Sequence, residues 1–173
     1  MSSKVLVTFG TMTGTTREVA EAIGAELRAG GHAVEVARVD EAKSIDDFDA
    51  VVAGTPVMIG MLNGPFRKFM RRNAKKLASK KVAWFLVCGY MNEPTDENVN
   101  SARKRVDSIS GLVPDANPLA TAMFGGAIKT QGSDFERLNP FLKFMSGKIA
   151  ADMKDGRDWN AIKAWARHLA AKL

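Results

Sequence analysis

The stretch KVLVTFGTMTGTTREVAEAIGAELRAGG, residues 4–31, decides the fold. Lys4 to Phe9 is a short apolar run with β-branched residues, the pattern of a buried strand. From Thr15 to Ala29 the period changes, and Val19, Ala22, Ile23 and Leu27 recur on one face of a helix. Gly30-Gly31 stops that helix. Between strand and helix, Gly10 to Thr16 packs four threonines and two glycines into seven residues. A strand, a hydroxyl-rich turn and a helix make the opening unit of an alternating α/β fold.

Outward from this unit the alternation continues. Ala33 to Val39 reads as a second strand and Asp49 to Gly54 as a third. Pro65 to Leu77 reads as a helix, with Pro65 at its first position and Phe66, Phe69, Met70 and Leu77 facing inward. Val82 to Cys88 (VAWFLVC) is the most apolar strand and is placed centrally. A polar stretch, Asn92 to Asn98, leads into a helix over Val99 to Ile109. Leu119 to Ile128 supplies the fifth strand. Helices over Asn139 to Ala151 and Asp158 to Ala171 follow, the last with Asp158 as N-cap. The spacing predicts an α/β fold in which a doubly wound, five-stranded parallel sheet carries helices on both faces. No linker or repeat divides the chain, so one domain is expected over residues 1–173.

Composition narrows the class. The 173 residues are 46% hydrophobic and 25% charged, which excludes a disordered tail. The single cysteine, Cys88, excludes a disulfide scaffold and a cysteine-rich metal site, and fits a reducing compartment. No apolar run reaches the 18 or so residues of a membrane span. The N-terminus lacks the apolar core of a signal peptide. A cytoplasmic protein is expected.

In open α/β sheets ligands bind beyond the carboxyl ends of the strands. Three loops are thereby singled out: Gly10–Thr16, Thr55–Gly64 and Gly89–Asp96. In the first, glycine lets backbone approach a phosphate. Threonine hydroxyls and free helix amides can then donate to its oxygens. No lysine follows Gly14, so this is not a nucleoside-triphosphate loop, and the GxGxxG dinucleotide fingerprint is absent. The alternative is an ordinary threonine-rich turn with an N-cap. The second loop holds Pro56, Val57, Met58, Ile59 and Gly60, then Met61 and Leu62. An apolar loop asks for a cover, such as a flat ring, or else caps the core. The third begins at Cys88 and Gly89 and carries Tyr90, the only tyrosine, and Met91. Cys88 reads as a small buried hydrophobe. His32 and His168 read as surface residues away from these loops. No Ser/His/Asp set or metal-ligand spacing appears, so no catalytic side chain is assigned.

The run Thr11-Met12-Thr13-Gly14-Thr15-Thr16 after a first strand resembles the FMN-phosphate loop of flavodoxins. Three further stretches are similar to the menaquinone-dependent protoporphyrinogen dehydrogenases, short flavodoxin-like proteins. They are Gly14-x-Thr16-Arg17-Glu18, Phe48-Asp49-x-Val51-Val52-x-Gly54, and Phe144-Met145-Ser146-Gly147 followed by Asp158-Trp159. The resemblance implies strand order 2-1-3-4-5 and FMN as cofactor. It implies phosphate contacts from Thr11 through Thr16, and ring contacts from Pro56, Val57, Met58, Ile59 and Gly60. It also implies Tyr90 stacked on the flavin, with backbone around Cys88, Gly89, Tyr90 and Met91 at the pyrimidine edge. The implied activity is oxidation of protoporphyrinogen in haem biosynthesis, with a quinone or another redox partner as acceptor. A flavin would carry the redox step, and the protein would supply binding and orientation. An electron carrier without a small-molecule substrate and a flavin-free interaction module are the alternatives.

The net charge of +6 is unevenly spread. Arg67, Lys68, Arg71, Arg72, Lys75, Lys76, Lys80 and Lys81 put +8 on one uninterrupted stretch, leaving −2 for the rest. They fall opposite the apolar positions of the predicted helix. They form either a solvated face or a docking face for an acidic protein or an anionic membrane, which would make the protein peripheral there. No base-stacking motif accompanies them, so no nucleic acid is expected. Leu138 to Met145 is apolar nearly all round, which suits an interfacial or quinone-contacting element, a deeply packed helix or a dimer contact.

Overall fold

The computed structural model describes residues 2–42 and 44–173. Its elements are β1 (Lys4–Phe9), α1 (Thr15–Ala29), β2 (Ala33–Arg38), β3 (Ala50–Met58), β4 (Met61–Leu62), α2 (Gly64–Arg72) and α3 (Ala74–Ala78). After them come β5 (Lys81–Cys88), a 3-10 turn (Gly89–Asn92), α4 (Asp96–Ser110) and β6 (Pro118–Gly125). α5 (Ser133–Glu136), α6 (Pro140–Asp152) and α7 (Trp159–Ala170) complete the chain.

The long strands lie in the order β2-β1-β3-β5-β6, all parallel. Counted without the two-residue β4, this is the expected 2-1-3-4-5. β5 is fully buried after Lys81, as its unbroken apolar sequence requires. Leu6, Val51, Trp84 and Leu86 pack on one face against Phe66, Phe69 and Leu77 of α2 and α3 and Val106 and Ile109 of α4. Val5, Val7, Val52 and Phe85 pack on the other against Val19, Ile23 and Leu27 of α1 and Ile162, Ala166 and Leu169 of α7. Asp158 caps α7 by accepting from the Ala161 amide at 3.0 Å, as its sequence position predicts.

Four expectations are corrected. The helix over Pro65 to Leu77 is two helices broken at Asn73, whose side-chain amide donates to Phe69 O at 2.9 Å and competes with helix continuation. The apolar loop after β3 is a hairpin: β3 runs on to Met58 and pairs antiparallel with β4. Its turn, Ile59-Gly60, has φ of 50° and 70°, the pattern of the two-residue turn that matches strand twist. A β-branched residue is strained in that region, and Ile59 is also 68% exposed. His32 is buried, not on the surface. Ser3 N donates to its Nδ1 at 3.2 Å and its Nε2 lies 3.0 Å from Ala170 O, so the ring clasps the two chain ends together. Finally, α6 is not deeply packed. Of its residues only Ser146 is buried, while Phe141 and Phe144 stand exposed.

Candidate functional site

The carboxyl ends of β1, β3, β5 and β6 surround a cleft of about 310 Å³. Each wall comes from a different loop. Met12, Thr13 and Thr15 form the polar end. Pro56, Val57, Met58, Ile59 and Gly60, from the hairpin, form one side. Val87, Cys88, Gly89 and Tyr90 form the floor at the end of β5. Gly126, Ala127 and Ile128 follow β6, and Asn98, Ile149 and Met153 come from α4 and the end of α6. No side chain in this lining carries a charge at neutral pH.

The polar end is built for an anion. Gly14 is the N-cap of α1, and no side chain caps the helix. The first-turn amides therefore lack side-chain acceptors and point their dipole toward the cleft. The Gly14 amide donates to Thr11 Oγ1 at 3.0 Å, which fixes the turn. Thr16 is fully buried and its Oγ1 has no partner. A buried hydroxyl of this kind is costly unless a ligand accepts from it. These donors fit a phosphate, and the apolar slot beyond fits a flat ring, so the residues present suit FMN.

Ion pairs hold the loop after β6 over this end. Arg17 Nε and Asp134 Oδ2 lie 2.8 Å apart, and Arg38 also pairs with Asp134. Lys129 pairs with Glu18, and its amide donates to Thr13 Oγ1 at 3.3 Å. Arg157 adds a contact to Glu18 at 2.5 Å and another to Asp155 at 2.6 Å. Asn92 joins the floor to the same loop: its side chain accepts from Gly126 N at 2.7 Å and donates to Gly126 O at 3.1 Å.

The charges follow this geometry. The hydrogen bond from Arg17 holds the Asp134 carboxyl below the usual carboxylate range against the opposing effect of burial. Burial pushes Glu18 up, yet Lys129 and Arg157 together hold it down. A carboxyl depressed in the folded state stabilises above its unfolded pKa and loses that contribution as pH falls through the folded value. The strap should therefore loosen in acid, below about pH 4. Asp134→Asn should cost about 1–2 kcal/mol at pH 7, part of the pairing being solvent-screened. The same change should flatten stability against pH below about pH 5, read from urea midpoints across a pH series. Burial pushes the Cys88 thiol up to about 11, which leaves it protonated and inert.

The structure brings Met12, Thr13, Thr15, Cys88, Gly89, Tyr90 and the whole of Pro56 to Gly60 to the cleft wall. Thr11, Gly14 and Thr16 are not in the lining; they lie in the turn and the first helical turn, adjoining Thr13 and Thr15. Met91, whose backbone the resemblance places at the pyrimidine edge, is not in the lining, and its side chain packs against the core. Gly126 to Ile128 are cleft residues the apolar pattern does not mark: the run continues through Ile128, whereas β6 ends at Gly125. The two adjacent glycines, Gly125-Gly126, were the available signal. Nothing local marks Ile149 or Met153.

A doubly wound parallel sheet with a neutral cleft at its carboxyl edge, donor-rich at one end and apolar at the other, defines a mononucleotide-binding α/β protein. The flavodoxin domain family matches residues 6–158, and the chain belongs to that family. Among curated proteins it is similar to the protoporphyrinogen IX dehydrogenase [quinone] of Escherichia coli strain K12. The two are 26% identical over 181 residues, covering 96% of this chain and 94% of that protein. A short-chain flavodoxin associated with a non-canonical PDU bacterial microcompartment shares the fold, with TM-score 0.57 and 19% identity over 87% of this chain and 99% of the other. So does a flavoprotein from Lactobacillus acidophilus NCFM solved in complex with FMN, with TM-score 0.54 and 16% identity over 70% of this chain and 93% of the other. Family and neighbours together support FMN as the cofactor.

Proposed function

We propose that this chain is an FMN-dependent oxidoreductase of the protoporphyrinogen dehydrogenase type, passing electrons from a reduced porphyrin precursor to a quinone. The observation that carries the reading is the apolar slot between the 57–60 hairpin and Tyr90, which runs into the uncapped N-terminus of α1. Bound there, FMN would supply the redox chemistry. Thr13, Thr15 and Thr16 would hold its phosphate, Val57, Met58 and Tyr90 would flank its ring, and the loop after β6 would exclude water. The similarity to the Escherichia coli enzyme over nearly the whole of both chains supports the substrate.

The absence of acids, amines and imidazoles from the cleft wall favours a second reading, an electron carrier with no substrate of its own. Anaerobic turnover of protoporphyrinogen with a menaquinone analogue separates the two. Turnover that depends on added FMN supports the enzyme, and none leaves the carrier. A colourless protein that ignores added FMN ends both.

The basic face is narrower than its formal +8. Lys76 pairs with Asp46 at 2.7 Å, Lys80 donates to Phe48 O at 2.6 Å, and Lys81 is held by the carbonyl of Leu173. Arg67, Lys68, Arg71, Arg72 and Lys75 are exposed and make no ion pair among the described residues. As part of the same proposal, these five dock the protein on an anionic membrane, where a quinone would be reached. Each is worth on the order of 1 kcal/mol there. Arg71→Glu with Arg72→Glu should cut binding to phosphatidylserine vesicles at least tenfold in cosedimentation, and unchanged binding would reduce the face to a solubilising one.

A further inference from the structure

Four arginines of the chain are half-buried: Arg17, Arg38, Arg105 and Arg157. Three of them hold carboxylates, Arg17 and Arg38 on Asp134 and Arg157 on Glu18 and Asp155. Arg105 differs. It makes no ion pair and no hydrogen bond among the described residues, and its Nε is buried without a partner. A buried guanidinium N–H given no acceptor is a cost to the fold.

Its position gives that cost a use. Arg105 lies on α4 two turns beyond Asn98, and so on the same face, and Asn98 lines the cleft. Its Nη2 reaches the turn of the hairpin, 3.2 Å from where a Cβ on Gly60 would stand. The Tyr90 hydroxyl lies 3.8 Å from the same point. A cation and a neutral donor thus converge beside Gly60, whose missing side chain leaves the approach open. The adjoining cleft wall is uncharged and largely apolar, where an ion pair is worth more than in water.

We propose that Arg105 determines substrate specificity by taking a carboxylate of the electron donor at the hairpin end of the cleft, with the Tyr90 hydroxyl as second donor. The substrate class is an apolar ring molecule bearing a carboxylate arm. The choice of a porphyrin precursor as that molecule rests on the function proposed above. The carboxylate preference itself does not.

The test uses the FMN-loaded protein, wild type against Arg105→Gln and Arg105→Lys. Binding of protoporphyrin IX and of its dimethyl ester is followed by fluorescence quenching. Binding of anthraquinone-2-carboxylate and of the neutral 2-carboxamide to the oxidised protein, as flat ligands that do not react with it, is followed in parallel. The wild type should prefer each acid over its neutral partner about tenfold. R105Q should bring that ratio to within twofold, with affinity for the neutral partners and for FMN unchanged and Tm not lowered. R105K should restore part of the ratio, since it keeps the charge and loses the fork. In anaerobic turnover of protoporphyrinogen with a menaquinone analogue, R105Q should raise KM for protoporphyrinogen with kcat held. A ratio that persists in R105Q for both pairs overturns the inference, as does a loss of FMN in its place. A preference seen with the anthraquinones, combined with failure of the wild type to bind either porphyrin, keeps Arg105 in its role and ends the porphyrin reading.

Discussion

Thr15→Asp should abolish FMN binding and leave the protein folded. Thr15 is the first residue of α1, nearly buried, and lies on the polar end of the cleft. A carboxylate at this position suits the helix, because it faces the positive end of the dipole and can accept from first-turn amides. The same carboxylate would face a phosphate that needs those amides. A like charge a few ångströms away costs on the order of 4 kcal/mol at the effective dielectric of a protein surface. FMN affinity should fall at least about a hundredfold in fluorescence titration, while the Tm of the ligand-free protein stays level or rises. Riboflavin, which has the same ring and no phosphate, should lose no more than about threefold. If riboflavin falls as far as FMN, the α1 terminus does not hold the phosphate and the orientation proposed for the flavin is wrong.

The second large effect belongs to the sheet. Gly54 sits on β3 between β1 and β5, directly opposite Phe85 in register. A Cβ there would come 1.9 Å from Phe85 Cζ. The ring has no easy retreat, since Phe124 and Trp165 lie against it with centroids 6.4 Å away in both cases. Gly54→Ala should therefore destabilise by about 3 kcal/mol, the upper range for overpacking. For a chain of this length that corresponds to a Tm lower by roughly 6–12 °C. The site should suffer too, because Gly54 O accepts from Gly10 N at 2.9 Å and so sets the start of the threonine turn. Adding Phe85→Leu should recover part of the loss. A double-mutant cycle showing simple additivity would place the strain elsewhere.

These two experiments address the site from opposite sides, and the sequence was informative about them to different degrees. The threonine turn is legible because its residues are contiguous and their chemistry is local: hydroxyls, glycines and a helix start lie within seven positions. The Gly54–Phe85 contact is not, because it depends on strand register across residues far apart in the chain. The hairpin at Ile59-Gly60 was hidden for a related reason. Its signal is the pairing of Val57 with Leu62 and Met58 with Met61, and a run of apolar residues reads the same in a loop and in a buried strand.

Local sequence determined the alternation of the five long strands with helices, the three loops at the carboxyl edge, the Asp158 cap and the burial of Cys88, since each depends on neighbours within a few residues. The tertiary structure decided which distant groups meet. It brought Asp134 to Arg17 and Arg38, and Lys129 and Arg157 to Glu18. It placed Ile149 and Met153 in the cleft wall. It took Lys76, Lys80 and Lys81 out of the free basic face by giving them partners in remote segments. It also left Arg105 beside the cleft with no partner among the described residues. Charge partners are a property of packed surfaces in three dimensions, and periodicity along a chain carries no information about them.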